Sequence, residues 1–322
     1  MNTIIASRVK AVRPDQPQAK GLCIVPILGP SHERPEYRLL EGEALNLVRV
    51  TEISEAGSVP ELKVTNGLDM CVFLMDGQEL IGAKQNRILN TDVMVPARSS
   101  ITIPVSCVEA RRWHPVSPQF APGKSASHRI RAAKQARVHE ALKAEGRHDA
   151  GQDAVWDEVA CSLSAAGAVS FTAALHDAYV QQKGELDRFR AELRMPEDAV
   201  GVAVFQRDRF QGLDLFDRHP TLRYFWESLI DSYAIDFLAA AVDPREPAET
   251  PQAETVKHLL QVAADDDWEE FRSPGVGVDW RVANRRLSGS ALVVDDVVIH
   301  LQLFARQAET SRRPRIHRPY PH

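Results

Sequence analysis

Between residues 21 and 113 the chain alternates short apolar runs with polar breaks: LCIVPIL, LNLVRVTEI, LKVTN, MCVFLM, ELIGA, ILNTDVMV and ITIPVSCVE. The runs are rich in Val, Ile, Leu and Thr, and Gly, Pro, Asn and Asp separate them, so they predict strands in a β-rich portion over 21–122. Asp76-Gly77, between MCVFLM and ELIGA, predicts a two-residue hairpin turn, because both positions tolerate positive φ. The segment PVSPQFAPGKSAS at 115–127 has three prolines and reads as a linker that ends the strands.

The period then changes. Helical patterns at 127–145, 152–166 and 171–193, interrupted by Gly146 and Gly167, predict a helical segment over 123–195. An α+β portion follows over 196–305, opening on the hairpin candidate VGVAVFQRDRFQGLDLF. Pro220 then starts a helix in which Leu222, Phe225, Trp226, Leu229, Ile230, Tyr233, Phe237 and Leu238 form one buried stripe. A loop at 243–254, a helix at 254–264 and a terminal hairpin at 289–304 turning at Asp295-Asp296 complete it. The hairpins from Gly201 and Gly289 align without a gap, each reading G-x-A at its start and L-x-L-F at its end, as a duplicated unit would. Residues 1–20 read as an N-terminal extension, and 306–322, with five arginines, as a disordered basic tail. Because the strands precede the helical block, the expected fold class is α+β: an antiparallel β-rich N-terminal portion, a central helical segment, and C-terminal hairpins and helices packed into one composite unit.

Composition narrows the class without naming a reaction. With 322 residues, 44% hydrophobic and 26% charged, the chain has ample material for a core. Cys23, Cys71, Cys107 and Cys161 form no C-x-x-C pair, which argues for reduced thiols. The first twenty residues lack a signal peptide's apolar region, and the longest apolar segment, 229–242, is broken by Asp231 and Asp236, so a cytoplasmic protein without a membrane span is expected.

Candidate chemistry concentrates in residues 76–113. Gln85, Asn86, Arg87 and Asn90 combine amide donors and acceptors with a planar cationic fork, a set suited to a phosphorylated or nucleotide-like ligand; the competing reading is a turn whose amides cap backbone groups. Arg112 and Trp113 extend the ligand-binding set. Cys107, with Glu109 or His114 as base, is the catalytic candidate, set against the usual behaviour of a buried cysteine as a small hydrophobe. From Arg111 to Arg137 there are seven positive charges and no carboxylate. They read either as a phosphate-attracting field or, by preference, as a solvated helix face paired with acidic segments such as 265–270. The net charge of -5 and the lack of a nucleic-acid-binding motif disfavour nucleic acid as a partner. No histidine has the spacing of a metal site: His300, near Asp295 and Asp296, reads as a hydrogen-bonded strand residue. No motif identifies a cofactor.

The segments LMDGQELIGAKQNRILNTDVMVP and IPVSCVEARRW resemble the ARG-and-Rhodanese-Phosphatase-associated (ARPP) protein domain family of bacteria. GVAVFQRDRFQGLDLFD and GSALVVDDVVIHLQLF match it further, so the resemblance covers most of residues 20–305. The family name records association with ADP-ribosylglycohydrolase and rhodanese-phosphatase proteins, which implies a role near ADP-ribose or other NAD-derived metabolism and supplies no catalytic residues. The functional expectation is therefore a cytoplasmic ligand-binding or accessory protein, with Gln85, Asn86, Arg87 and Asn90 orienting the ligand and Arg112 offsetting its charge. The competing classes are a hydrolase on a nucleotide-derived substrate using Cys107, and a scaffold that binds another protein through the helical segment.

Overall fold

The computed structural model describes residues 11–12, 18–238 and 253–306. The basic tail beyond Arg306 and the loop expected at 243–254, apart from its last two residues, lie outside the described residues, as does most of the N-terminal extension.

The first strands are β1 (Ala11–Val12), β2 (Gln18–Ala19), β3 (Leu22–Leu28) and β4 (Tyr37–Arg38), followed by a single helical turn, α1 (Ala44–Leu47). Then come β5 (Val48–Glu52), β6 (Glu61–Asn66), β7 (Cys71–Leu74), β8 (Gln78–Gly82), β9 (Arg87–Leu89), β10 (Val93–Val95), β11 (Ser99–Cys107) and β12 (Phe120–Ser125). The helical block is α2 (His128–Glu145), α3 (Gln152–Ala165), α4 (Leu175–Gln181) and α5 (Lys183–Glu192). The hairpin β13 (Ala199–Gln206) and β14 (Arg209–Phe216), the helix α6 (His219–Ala234), the helix α7 (Ala253–Ala264), and β15 (Glu269–Arg272), β16 (Val278–Ala283), β17 (Leu287–Val294) and β18 (Val297–Ala305) complete the strands and α-helices among the described residues. This is an α+β fold with a β-rich N-terminal part.

Among the described residues the strands form three assemblies: a closed barrel in the order β11-β6-β5-β12-β8-β9, a small sheet β10-β7-β4, and a nine-stranded sheet. The large sheet runs β1-β3-β13-β14-β18-β17-β16-β15, with β2 added to β3. Both its faces are buried, as alternation along one strand shows. Leu22 and Ile24 join the main core with α2 and α6, while Cys23, Val25 and Ile27 join a second core under Val256 and Leu260 of α7. Thus β3, from the N-terminal portion, is built into the C-terminal sheet by pairing with β13.

Two expectations are corrected. The first is the Asp76-Gly77 hairpin: β7 pairs with β10 and β4, whereas β8 pairs with β9 and β12, so this turn passes the chain from the small sheet to the barrel. Gly77 is required there, since its φ is +76° and a Cβ would lie 2.9 Å from Arg131 Cγ. The second is the linker at 115–127. Its middle, Phe120–Ser125, is a barrel strand, with Phe120 opposite both Val50 and Gly82. Burial of Phe120 and pairing of the strand outweigh its proline and glycine content, at the cost of a register shift between Pro122 and Ser125.

Elsewhere local signals hold. Ser127 caps α2, accepting from the Ile130 N–H, and Gly146 ends it in the left-handed conformation. The hairpins β13-β14 and β17-β18 form, the latter turning with Asp295 and Asp296 both at positive φ. The helical pattern over 171–193 divides into α4 and α5. Among the described residues no helix is long and apolar enough to cross a membrane.

Candidate functional site

Register and alternation decide which side chains enter the barrel. Val48 and Val50 of β5, Leu62 and Val64 of β6, Leu80 of β8, Leu89 of β9, Ile103 and Val105 of β11, and Phe120 form its apolar interior. Two residues beyond Leu89 and Val105 on the same faces are Arg87 and Cys107, which stand opposite each other, and Arg87 is also opposite Leu80. The last inward position of β5, after Val48 and Val50, is Glu52. One mouth of the barrel is therefore furnished with a guanidinium, a thiol and a carboxylate beside the apolar side chains of the interior.

Arg87 is buried. Its Nη1 donates to the backbone oxygen of Gln85 at 3.2 Å and to Gln85 Oε1 at 3.0 Å. Among the described residues its buried Nε and Nη2 have no hydrogen-bond partner. Burial, the largest influence, depresses its pKa, with Cys107 and Glu52 opposing the shift from a distance. The guanidinium lies 5.6 Å from the centre of the Trp113 ring, whose other close cation, Lys84 Nζ, is at 5.5 Å. Lys84 also reaches across to the loop at 53–60, donating to the backbone oxygens of Glu55 and, at 2.8 Å, Ala56. Ile53, Val59, Trp113 and Val116, all exposed, lie on this loop or on the 113–116 segment that hydrogen-bonds to Ala83.

The neighbouring polar residues hold the mouth together. Arg112 donates from Nε and Nη2 to both oxygens of Glu109, from Nη1 to the backbone of Ala83 and His114, and from Nη2 to the Gly82 backbone and Asn86 Oδ1. All three of its nitrogens are occupied, so Arg112 organises the 82–86 turn and has none left for a ligand. Glu109 also accepts from the Asn86 N–H at 3.1 Å. Burial alone would raise its pKa, but these donors hold it below the ordinary value.

The structure thus brings together Gln85, Asn86, Arg87, Cys107, Glu109, Arg112 and Trp113. Asn90 points elsewhere, bonding the His148 backbone oxygen at 2.9 Å and Ser106 Oγ at 2.9 Å. The proposed nucleophile and bases are not assembled for chemistry. Cys107 is fully buried, its thiol pushed up to about 11 by burial, which outweighs the nearby Arg87, so it is neutral at ordinary pH. Glu109 is tied to Arg112, and the His114 side chain is exposed.

A second polar constellation, unforeseen in the sequence, joins the barrel side to the large sheet. The i, i+3, i+4 positions Arg131, Lys134 and Gln135 make the buried face of α2 polar. Lys134 pairs with Asp76, which also accepts from Gln135 at 2.9 Å. Arg131 pairs with Asp214 on β14 and lies over the rings of Phe304 and Tyr233. Arg281 on β16 forks onto both oxygens of Asp279 at 2.8 Å and donates to Gln135 and Thr91 at 2.7 Å. His300 bridges Asp92, at 2.9 Å, and Asp214, at 3.2 Å. Burial disfavours its imidazolium, yet the two carboxylates lift its pKa to about 9. Asp214 is likewise held at about 2 by Arg131 and His300 against the opposing effect of burial. His300 is therefore hydrogen-bonded as expected, but to Asp92 and Asp214 and not to the adjacent Asp295-Asp296.

This network also revises the reading of the basic run 111–137. Its charges do not form one field: Arg112, Lys124, Arg131 and Lys134 take separate carboxylates, Glu109, Asp231, Asp214 and Asp76. From the acidic stretch 265–270, Glu269 takes His139 and Lys143, neither of them among the seven.

Sequence reading also passed over Glu79. It is fully buried on β8 with its carboxyl pKa raised by burial, and His176 Nδ1 on α4 stands 3.5 Å away. Strand alternation from Leu80 assigns Glu79 to the outer face of the barrel, but only the packing of α4 supplies the histidine.

Residues 11–304 match the family model of the ARG and Rhodanese-Phosphatase-superfamily-associated Protein domain, nearly the whole chain. No curated protein and no solved structure matches.

Proposed function

The chain belongs to the ARG and Rhodanese-Phosphatase-superfamily-associated Protein domain family, and from that premise we propose that it is a ligand-binding or accessory protein whose barrel mouth takes an anionic, nucleotide-like small molecule. The observation that carries this is Arg87: among the described residues, two nitrogens of its buried guanidinium lack any acceptor and no carboxylate lies at ion-pair distance. Leaving such donors unsatisfied is costly, and a phosphate or carboxylate arriving at them gains charge-assisted, bidentate hydrogen bonds. The mouth of a barrel is a common place for a small-molecule site. Gln85 fixes the third nitrogen, Glu109, Arg112 and Asn86 brace the turn, and the half-exposed Trp113 offers a planar surface for stacking. The association in the family name points to ADP-ribose or another NAD-derived compound as the ligand class.

The test is a thermal-unfolding screen of the intact protein against ADP-ribose and NAD, with product analysis by mass spectrometry. A ligand that binds the native state raises its apparent stability by mass action. The expected result is stabilisation without turnover, lost in a folded Arg87→Met protein. Equal stabilisation of wild type and Arg87→Met would remove the assignment, and conversion of a compound would favour the hydrolase class.

A second reading, as an interaction module, has its own support. Phe171 is 91% exposed and Val169 and Val180 are exposed with it, around the connection from α3 to α4. If this surface joins two copies of the chain, sedimentation will show concentration-dependent association that Phe171→Ser abolishes, whereas a monomer at all concentrations excludes that arrangement.

A further inference from the structure

We propose that a second site, separate from the barrel mouth, binds a phosphorylated small molecule of mononucleotide size. It is a cavity of about 560 Å³ bounded by α2, the β13-β14 turn and the ends of β17 and β18. That volume falls within the range of small-molecule pockets. Its construction follows from the two-sided character of α2. While Arg131, Lys134 and Gln135 face the buried network, the stripe Arg129, Ala132, Ala133 and Ala136 borders the cavity, and the alanines leave the room that larger side chains would fill.

The walls are cationic. Arg129, Arg209 and Arg306 line the cavity with one carboxylate, Glu158, whose Oε2 is 3.9 Å from Arg129 Nε. Among the described residues the Arg209 side chain has no protein partner, and Arg306 uses only Nη1, donating to the Asn284 backbone at 2.9 Å. Three guanidinium groups converging on a space with one carboxylate favour an anion, and their planar forks match phosphate oxygens.

One wall is also rigid and polar. His128 is 5% exposed and stacks on Tyr233 and Phe237, with ring centroids at 5.4 and 5.2 Å. Its Nδ1 lies 2.8 Å from Asp236 Oδ2. Asp236 is held in turn by the Ser162 hydroxyl at 3.1 Å and the Arg129 N–H at 3.0 Å. The His128 Nδ1 is buried and meets the carboxylate at ion-pair distance without hydrogen-bond geometry. An imidazole stacked on two rings keeps a set orientation in the cavity wall, next to Arg129. Phe210, half-buried in the lining, adds an aromatic surface for a base.

The experiment is calorimetric titration of the full chain with AMP and with pyrophosphate, comparing wild type, Arg209→Glu, Arg306→Glu, His128→Gln and Arg87→Met. Arg209 and Arg306 are exposed, so their variants should fold, which circular dichroism verifies. The expected result is that at least one probe binds and that Arg209→Glu and Arg306→Glu each weaken it about tenfold or more. His128→Gln should weaken it less, and Arg87→Met not at all. Failure of both probes to bind wild type, unchanged affinity in both charge-reversed variants, or loss confined to Arg87→Met would overturn the second site. The last of these outcomes would leave the barrel-mouth reading standing, so the two readings fail separately.

Discussion

Arg87 and Arg281 are both fully buried arginines, and their surroundings are opposite. Arg281 has a carboxylate across two nitrogens and acceptors from Gln135 and Thr91, so each of its nitrogens is bonded. Arg87 has one nitrogen on Gln85 and, among the described residues, two with no partner. The lesson is that burial of charge is not itself a sign of a site. Where cations and carboxylates are matched, as for Arg281 with Asp279, Lys134 with Asp76 and His300 with Asp92 and Asp214, the network fixes how the barrel, α2 and the large sheet fit together. Where a buried cation has no carboxylate at ion-pair distance among the described residues, as for Arg87, the proposed function gives its free nitrogens to a ligand.

The comparison is tested hardest at Asp279. Asp279→Ala strands Arg281 without a counter-charge and also removes the partner of His148, so denaturant unfolding should show a loss of about 3–5 kcal/mol. A cost below about 1 kcal/mol would mean that the matched network is not what holds these layers.

A smaller effect is expected from pH. Because the His300 pKa is raised to about 9 in the folded protein, from an ordinary value near 6.5, its contribution is fully present below about pH 6.5 and is lost as pH rises through about 9. Stability should therefore decline across that interval by up to about 3 kcal/mol, and His300→Gln should flatten the decline. An unchanged slope in the variant would assign the titration to another group. At the acid end, Asp214, held at about 2, contributes above about pH 4 and loses that contribution as pH falls through about 2.

At the barrel mouth the sign of the stability effect should differ. Arg87→Met removes an unmatched charge while keeping much of the side-chain volume, so the unfolding free energy should stay within about 1 kcal/mol of wild type or rise, while ligand stabilisation disappears. A loss as large as that of Asp279→Ala would collapse the distinction between the two regions. The mildest change is Trp113→Ala. Its contact with the Arg87 and Lys84 cations is worth about 0.5–1 kcal/mol at a half-exposed position, and chemical denaturation should register no more than that.

Much of the secondary structure was readable from local signals: Ser127 and Gly146 bounding α2, Pro220 opening α6, Asp295 and Asp296 turning the last hairpin. The residues Gln85, Asn86, Arg87, Asn90, Arg112 and Trp113 could be grouped as one candidate set from the sequence, but their convergence could not be read, and Asn90 lies apart from the others. Nor could it be read which of them stays unoccupied. Arg87 and Arg112 are alike in sequence, yet only one lies where a carboxylate and four backbone or amide oxygens converge.

The α+β class and the alternating patterns were legible in the residues alone, since these depend on short-range periodicity and capping, and the family in the motifs of residues 76–113. Tertiary structure decided the rest: that Phe120–Ser125 closes a barrel, that β3 joins the far sheet, and that Arg131 and Lys134 turn inward. The physical reason is that a charged side chain carries no mark of its burial. Its partner, Asp214 for Arg131 and Asp76 for Lys134, is 83 or 58 residues away. Only the assembled fold sets whether that carboxylate is within reach, and so whether a cation is part of the architecture or open to a ligand.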